Sequence, residues 1–175
     1  AYTIVDSIRK QYVVLAFKKF KEKITSGNLL KNIKEIVKDD VYLNKNYKSV
    51  NLIYTTPKFT LIPFEFFDKK KLKEYFKFNH FLLDFEEVHF NKLQNAEVYN
   101  LFAIPSETTI YLVNQFPEIR FYHQGSPIIL NYITKTKESK QDIPNVIVNI
   151  TENNFDMVVV KKGKLLFYNY FEYRT

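Results

Sequence analysis

Apolar residues alternate with polar ones at both ends of the chain and follow helical spacing between them. "YTIVD" (2–6) and "YVVLAF" (12–17) read as two strands joined by the basic turn "SIRKQ". In "SGNLLKNIKEIVKD" the residues Leu29, Leu30, Ile33, Ile36 and Val37 fall on one helical face, with Ser26 as the expected cap. "SVNLIYTT" (49–56) reads as a buried strand, and "KFTLIPFEFF" (58–67) as an extended segment broken by Pro63. Asp68 should cap a helix, "KKKLKEYFKFNHFL", that turns Leu72, Tyr75, Phe76 and the Phe78–Asn79 region inward.

Further strands are expected at "EEVHFNKL", "AEVYNLFAIP" (96–105) and "IRFYHQ". Ser106 should cap the helix "ETTIYLVNQFP", and Ser126 with Pro127 should open the helix "PIILNYI". The segment 134–144, "TKTKESKQDIP", is charged and aperiodic, the composition of a linker. Three more strands follow, in "NVIVNI" (145–150) and "FDMVVVKKGKLLFYNYFEY" (155–173).

This last hairpin resembles the first. "YTIVDSIRKQYVVLAFKKF" (2–20) aligns with 155–173 at a constant offset of 153, pairing Tyr2 with Phe155, Val5 with Val158, Phe17 with Tyr170 and Phe20 with Tyr173. The basic turns coincide, Arg9 and Lys10 against Lys162 and Gly163. This is the pattern of a duplicated hairpin. "NVIVNI" precedes the second copy with no counterpart before the first, and the first copy is followed by a helix where the second is not. The expected architecture is therefore α/β, with a first half at 1–134 that lacks its first strand, a linker at 135–144, and the opening β-meander of an incomplete second half at 145–175.

The carrying stretches "FTLIPFEFFDKKKLKEYFKFN" (59–79), "VYNLFAIP" (98–105) and "NNFDMVVVKKGKLLFYNYFEYRT" (153–175) resemble the bacterial domain-of-unknown-function family 3822 over nearly the whole chain. That resemblance implies an actin-like ATPase (ribonuclease H-like) fold, a mixed sheet with helices in duplicated halves. "F-x-L-I-P" and "K-K-G-K-L-L-F" are similar, more distantly, to the pilus-assembly actin-like proteins. In active actin-like ATPases the first hairpin of each half cradles phosphate, with an Asp for magnesium-bound water and a Gly for close approach. Here the matching stretch is "NITENN". Asn149 stands in place of the Asp and Thr151 in place of the Gly, with Asn153 completing a degenerate loop. An amide brings no anionic charge to a hydrated magnesium ion, and a Cβ holds phosphate away. The resemblance implies the fold, while these residues argue against ATP hydrolysis.

Composition narrows the chemistry further. The chain has only three glycines, Gly27, Gly125 and Gly163, and neither a Walker loop nor a GxGxxG. It has no cysteine, hence no disulfide or thiolate metal site, and no apolar run long enough to span a membrane. No signal peptide is visible and the chain starts at Ala1; a cytoplasmic location is expected.

The net charge of +7 suits nucleic acid or an anionic surface, but only Arg9, Arg120 and Arg174 of the 26 basic residues are arginine, and lysine used for solubility is the expected account of the charge. The lysines and aromatics of "DKKKLKEYFKF" could serve single strands, yet Leu72, Tyr75 and Phe76 make an ordinary amphipathic face. Asp6, Glu65 and Asp156 are the carboxylates a two-metal nuclease would call on; no spacing brings them together, and solvated positions are expected. His80, His89 and His123 lack metal-ligand spacing and are expected to be half-buried polar residues. "HQGSP" lacks the flanking glycines of a nucleophile elbow.

The reading is a non-enzymatic, degenerate actin-like scaffold or binding protein with no cofactor, no metal and no catalytic residue. Its partner is a protein, and exposed strand edges invite self-association. Two alternatives stand beside it: a nucleotide-binding protein with a phosphate loop outside this chain, and a basic nucleic-acid or ribosome-associated module.

Overall fold

The computed structural model describes residues 1–20, 24–25, 27–138 and 142–173. They form two compact units, 1–46 and 47–175. Ser26, the expected cap of the first helix, lies outside the described residues.

The first unit is a hairpin and a helix. Strands β1 (Tyr2–Asp6) and β2 (Gln11–Ala16) pair antiparallel. Asp6 Oδ1 accepts from the backbone N–H groups of Ile8 and Arg9, closing the turn, and Lys10 takes a positive φ of 54°. Val13 is bulged out of the ladder. Helix α1 (Leu29–Asp39) buries Leu29 and Val37 and half-buries Leu30, Ile33 and Ile36, the face expected from spacing.

Asp40 follows α1 and is almost fully buried. Its carboxylate accepts from Tyr2 Oη (2.9 Å), from Lys18 Nζ (2.9 Å) and from the N–H of Tyr42 (2.9 Å). Burial by itself would raise its pKa; the bonds from Lys18, Tyr2, Tyr42 and Leu43 outweigh that and bring it down to about 2.

The second unit carries the longer segments. Strand β3 (Val50–Tyr54) lies parallel to β7 (Ile119–His123). Strand β4 (Phe59–Pro63) and β5 (Glu86–Leu93) flank β6 (Val98–Pro105), all antiparallel. Pro63 ends β4 as expected and a 3-10 turn follows at Phe64–Phe66. Asp68 does cap: its Oδ1 accepts from Lys70 N ahead of helix α2 (Leu72–Asn79). Phe76 is fully buried and Leu72 and Tyr75 pack beside it. Phe78 departs from expectation at 89% exposed. It lies two positions, about 200°, from Phe76 around the helix, so both cannot face the core.

Helix α3 (Ser106–Gln115) begins at Ser106 itself, with Pro105 in the cap position and no side-chain cap, which corrects the expected role of Ser106. Its N–H donates to Phe85 O instead. Helix α4 (Gly125–Thr136) starts two residues earlier than "PIILNYI" and runs into the segment read as a linker.

Strands β8 (Asn145–Ile150), β9 (Asn154–Lys161) and β10 (Lys164–Glu172) form the closing meander in the order β10-β9-β8. The β9–β10 turn uses Lys162 and Gly163 at φ of 48° and 74°, and Leu166 is bulged out of the ladder. The main core joins the two parts of this unit: Ile129 and Ile133 of α4 meet Val158 and Val160 of β9, Tyr168 of β10 and Leu93 of β5. Val146, Val148 and Ile150 of β8 remain exposed. No helix among the described residues is long and apolar enough to cross a membrane.

Asp40→Ala removes the shared acceptor of Tyr2, Lys18 and two backbone N–H groups. Urea unfolding should show a loss of about 2–4 kcal/mol, with Asp40→Asn intermediate between the two.

Candidate functional site

The most concentrated polar chemistry of the second unit lies where β3 and β7 end side by side. Asn91 and Asn100 are directly paired across the β5–β6 ladder, so two amides enter the interior together. His123 is the last residue of β7 and is 0% exposed, which corrects the expectation of a half-buried residue.

The bonds fix the ring's proton. His123 Nδ1 faces two N–H donors, Asn100 Nδ2 and Gly125 N, each at 3.1 Å, so it must accept. Nε2 then carries the hydrogen and donates to Thr56 O at 3.0 Å. The imidazole is held neutral in one tautomer. Burial pushes its pKa down to about 4, against the opposing pull of the Thr56 carbonyl and Asp156.

Asn91 and Ser126 complete the cluster. Asn91 Oδ1 accepts from His123 N (2.9 Å) and Ser126 Oγ (2.8 Å), while its Nδ2 donates to Phe121 O (2.8 Å). Ser126 Oγ accepts from Asn100 Nδ2 at 3.1 Å. Ser126 is thus an interior member of α4 bonded to strand residues; its expected role in opening the helix as a cap is overturned. Its proton goes to an amide and the imidazole nitrogen is already taken, so Ser126 and His123 do not form a nucleophile–base pair. Gln124 closes the edge: Oε1 accepts from Thr56 N and Nε2 donates to Thr56 O, both at 3.1 Å.

Tyr168 of β10 covers the junction. Its ring lies so near Gly125 that a Cβ there would sit 2.3 Å from ring carbon and hydroxyl oxygen. The hydroxyl donates to Asp156 Oδ1 at 2.6 Å. Burial, then the bond to Asp156, raises the Tyr168 pKa. Asp156 is 3% exposed, so the expectation of a solvated carboxylate fails; its sequence position on an apolar strand gave no sign of the tyrosine opposite. Asp6 belongs to the other unit and Glu65 is exposed on the 3-10 turn after β4. His80 Nε2 bonds Phe59 O, and His89 Nε2 lies 3.3 Å from Thr109 Oγ1.

The β8–β9 loop, 151–153, is where the degenerate phosphate loop was expected. Thr151 N donates to Asn154 O (2.8 Å), and Thr151 Oγ1 lies 2.7 Å from Asn154 Oδ1. Asn153 O accepts from Tyr173 N, and Tyr173 Oη donates to Thr151 O. Asn149 Nδ2 donates toward Asp156 Oδ2 at 3.4 Å. Thr151 is bonded to Asn154 and Tyr173, and Glu152 adds a negative charge to the loop. Such a loop does not fit a magnesium nucleotide: the position expected to bring a carboxylate to the ion is the amide Asn149, Glu152 brings like charge to phosphate, and Thr151 carries a Cβ where bare backbone is needed.

Asn91 and Asn100 were missed from sequence. The available signal was an asparagine in each of two apolar strand segments, "VHFNKL" and "VYNLFAIP", where a buried amide must find partners.

Protonating His123 would turn its acceptor nitrogen against two donors. The unfolded chain binds this proton near the ordinary value of 6.5 and the folded chain only near 4. Stability is therefore full above about pH 6.5 and falls as the pH drops toward 4, by on the order of 3 kcal/mol, with His89, also lowered by burial, adding in the same sense. Urea unfolding at a series of pH values checks this, and His123→Gln should flatten the slope. Gly125→Ala should cost about 1–3 kcal/mol by overpacking against Tyr168, read as a lower midpoint in the same assay.

The comparisons agree with this architecture. A crystal structure from Bacteroides thetaiotaomicron, described as a protein with actin-like ATPase fold and unknown function, is similar over 99% of this chain at 29% identity and a TM-score of 0.87. The actin-like ATPase fold expected from sequence is the fold of that neighbour, and this chain spans 65% of its length. No curated protein matches. The family model runs from residue 1 to residue 175, and the chain belongs to the family described as protein of unknown function (DUF3822).

Proposed function

We propose that the protein is a non-enzymatic, degenerate actin-like scaffold or binding protein. The observation that carries this reading is the 151–153 loop, where the Thr151 N–H and hydroxyl are bonded to Asn154 and the preceding Asn149 amide is turned to Asp156. Asn149, Thr151 and Asn153 are, in this reading, the remnants of a phosphate loop.

Duplicated halves are part of the proposal, with 1–134 in the first, a linker at 135–144 and 145–175 opening the second. Two backbone features support it at the same offset of 153. The positive-φ residues Lys10 and Gly163 correspond, and so do the bulged residues Val13 and Leu166. A shared turn conformation and bulge are harder to reach by chance than a shared apolar pattern. A protein partner, or self-association, is supported by the edge position of β8 and its exposed Val146, Val148 and Ile150. A cytoplasmic location belongs to the same proposal, since a cysteine-free chain depends on no oxidising compartment to fold.

Titration of the full protein with magnesium–ATP by calorimetry tests the reading. No saturable binding should appear up to about 1 mM. Saturable, magnesium-dependent binding would overturn it.

A further inference from the structure

The closing meander has two faces of different character. One packs on α4 through Val158, Val160 and Tyr168. The ladder register defines the other, because directly paired residues share a face. Ile150, Phe155 and Phe171 form one cross-strand row, and Val146, Val159 and Phe167 form another. Between them lie Val148, Met157 and Asn169, and the Asn169 side chain accepts from Tyr170 N. All but Asn169 are apolar and none is charged. Val146, Val148, Ile150 and Phe167 are exposed. The ring contacts of Phe155 and Phe167 stay within the meander, on Phe171 and Tyr173. None of these residues belongs to either buried cluster of the second unit.

The internal repeat indicates which kind of element such a face takes. At the offset of 153, Phe155, Met157 and Phe167 correspond to Tyr2, Ile4 and Val14. Those three are the half-buried side of the first hairpin, while Thr3, Val5 and Leu15 on its other side are exposed. From the half-buried side Tyr2 donates to Asp40, the C-cap of α1, at 2.9 Å. The amphipathic helix of the first copy, 11 residues long, is thus anchored on that side. The second copy presents the same side uncovered. Three rows on three strands span about 13 Å by about 10 Å, the footprint of a single helix of roughly ten residues.

We propose that the outer face of the meander docks an amphipathic helix of a partner protein, one that carries Leu, Ile, Val or Phe at i, i+3 or i+4 and i+7 along the side that meets it. This deepens the scaffold reading and rests on it for the kind of ligand. The face carries no charge, so selection among helices falls to the shape and width of their apolar stripe. The surface is separate from the 151–153 loop.

The chain supplies its own probe, since Met157 is its one methionine and it has no cysteine. Full protein labelled with methionine carrying carbon-13 in the methyl group gives a signal from the middle of the face. Helical peptides are selected from a phage-displayed library whose outward positions are fixed as Glu and Lys and whose inward positions are random, and are then titrated against that signal. They should converge on an apolar stripe, shift the Met157 signal saturably and gain helical circular dichroism on binding. The double variant Val148→Glu/Ile150→Glu, both exposed positions, should keep the wild-type thermal midpoint and weaken binding by at least about tenfold. No enrichment over bare support, an unmoved Met157 signal, or binding indifferent to the double variant would each overturn the proposal. So would a Met157 signal that moves with protein concentration in the absence of peptide, which makes a second copy the occupant. A Val148→Cys thiol shielded from maleimide in the dilute free protein would overturn it as well, because the face is then closed within one molecule. Magnesium–ATP titration of the same sample separates the two readings. Nucleotide binding with intact helix binding defeats only the non-enzymatic reading, and absence of both defeats only the docking surface.

Discussion

The second unit is organised around a histidine that has to stay neutral. His123 can occupy the end of β7 only as the tautomer that accepts at Nδ1, because Asn100 and Gly125 both present N–H groups to that nitrogen. Its other nitrogen fixes Thr56 after β3. One ring therefore ties the parallel pair β3–β7, the β5–β6 hairpin and the start of α4 to one another. Left unmade, each of these buried bonds would cost about 1–3 kcal/mol. Their mutual dependence explains why two asparagines, a serine and a glutamine accompany the ring into the interior.

The same cluster determines what the site is unable to do. Each hydrogen-bonding group of His123 and the hydroxyl of Ser126 is engaged with a strand or helix, so the junction holds elements together and leaves no base for chemistry. Tyr168 extends the network to Asp156 and, through Asn149, to the foot of the 151–153 loop. In this chain the route from loop to interior is a set of structural bonds. The Thr151 N–H and hydroxyl are both spent on Asn154.

Asn91 connects the interior to the surface. Its amide satisfies His123 N and Phe121 O, and so holds the end of β7 against the face of β5 that carries His89 and Asn91.

The local patterns were legible in the sequence. The period-two runs of β1, β2, β8, β9 and β10, the helical face of α1, the Asp68 cap and the break at Pro63 all follow from spacing and side-chain chemistry acting over a few residues. The resemblance in "FTLIPFEFF" and "KKGKLLFYNYFEY" pointed to the fold. What failed depended on partners distant in sequence. Phe78 had a neighbour, Phe76, that took the inward position. Ser106 and Ser126 look like caps in isolation, yet Pro105 holds the cap position of α3 and Ser126 faces Asn91, 35 residues away. Asp156 and His123 read as ordinary polar residues until β10 and β6 bring Tyr168 and Asn100 against them. Period and turn are properties of a short stretch, so the sequence by itself determined the elements and the replacement of the expected aspartate and glycine by Asn149 and Thr151. Burial and tautomer are properties of what packs opposite, and only the tertiary structure decided those.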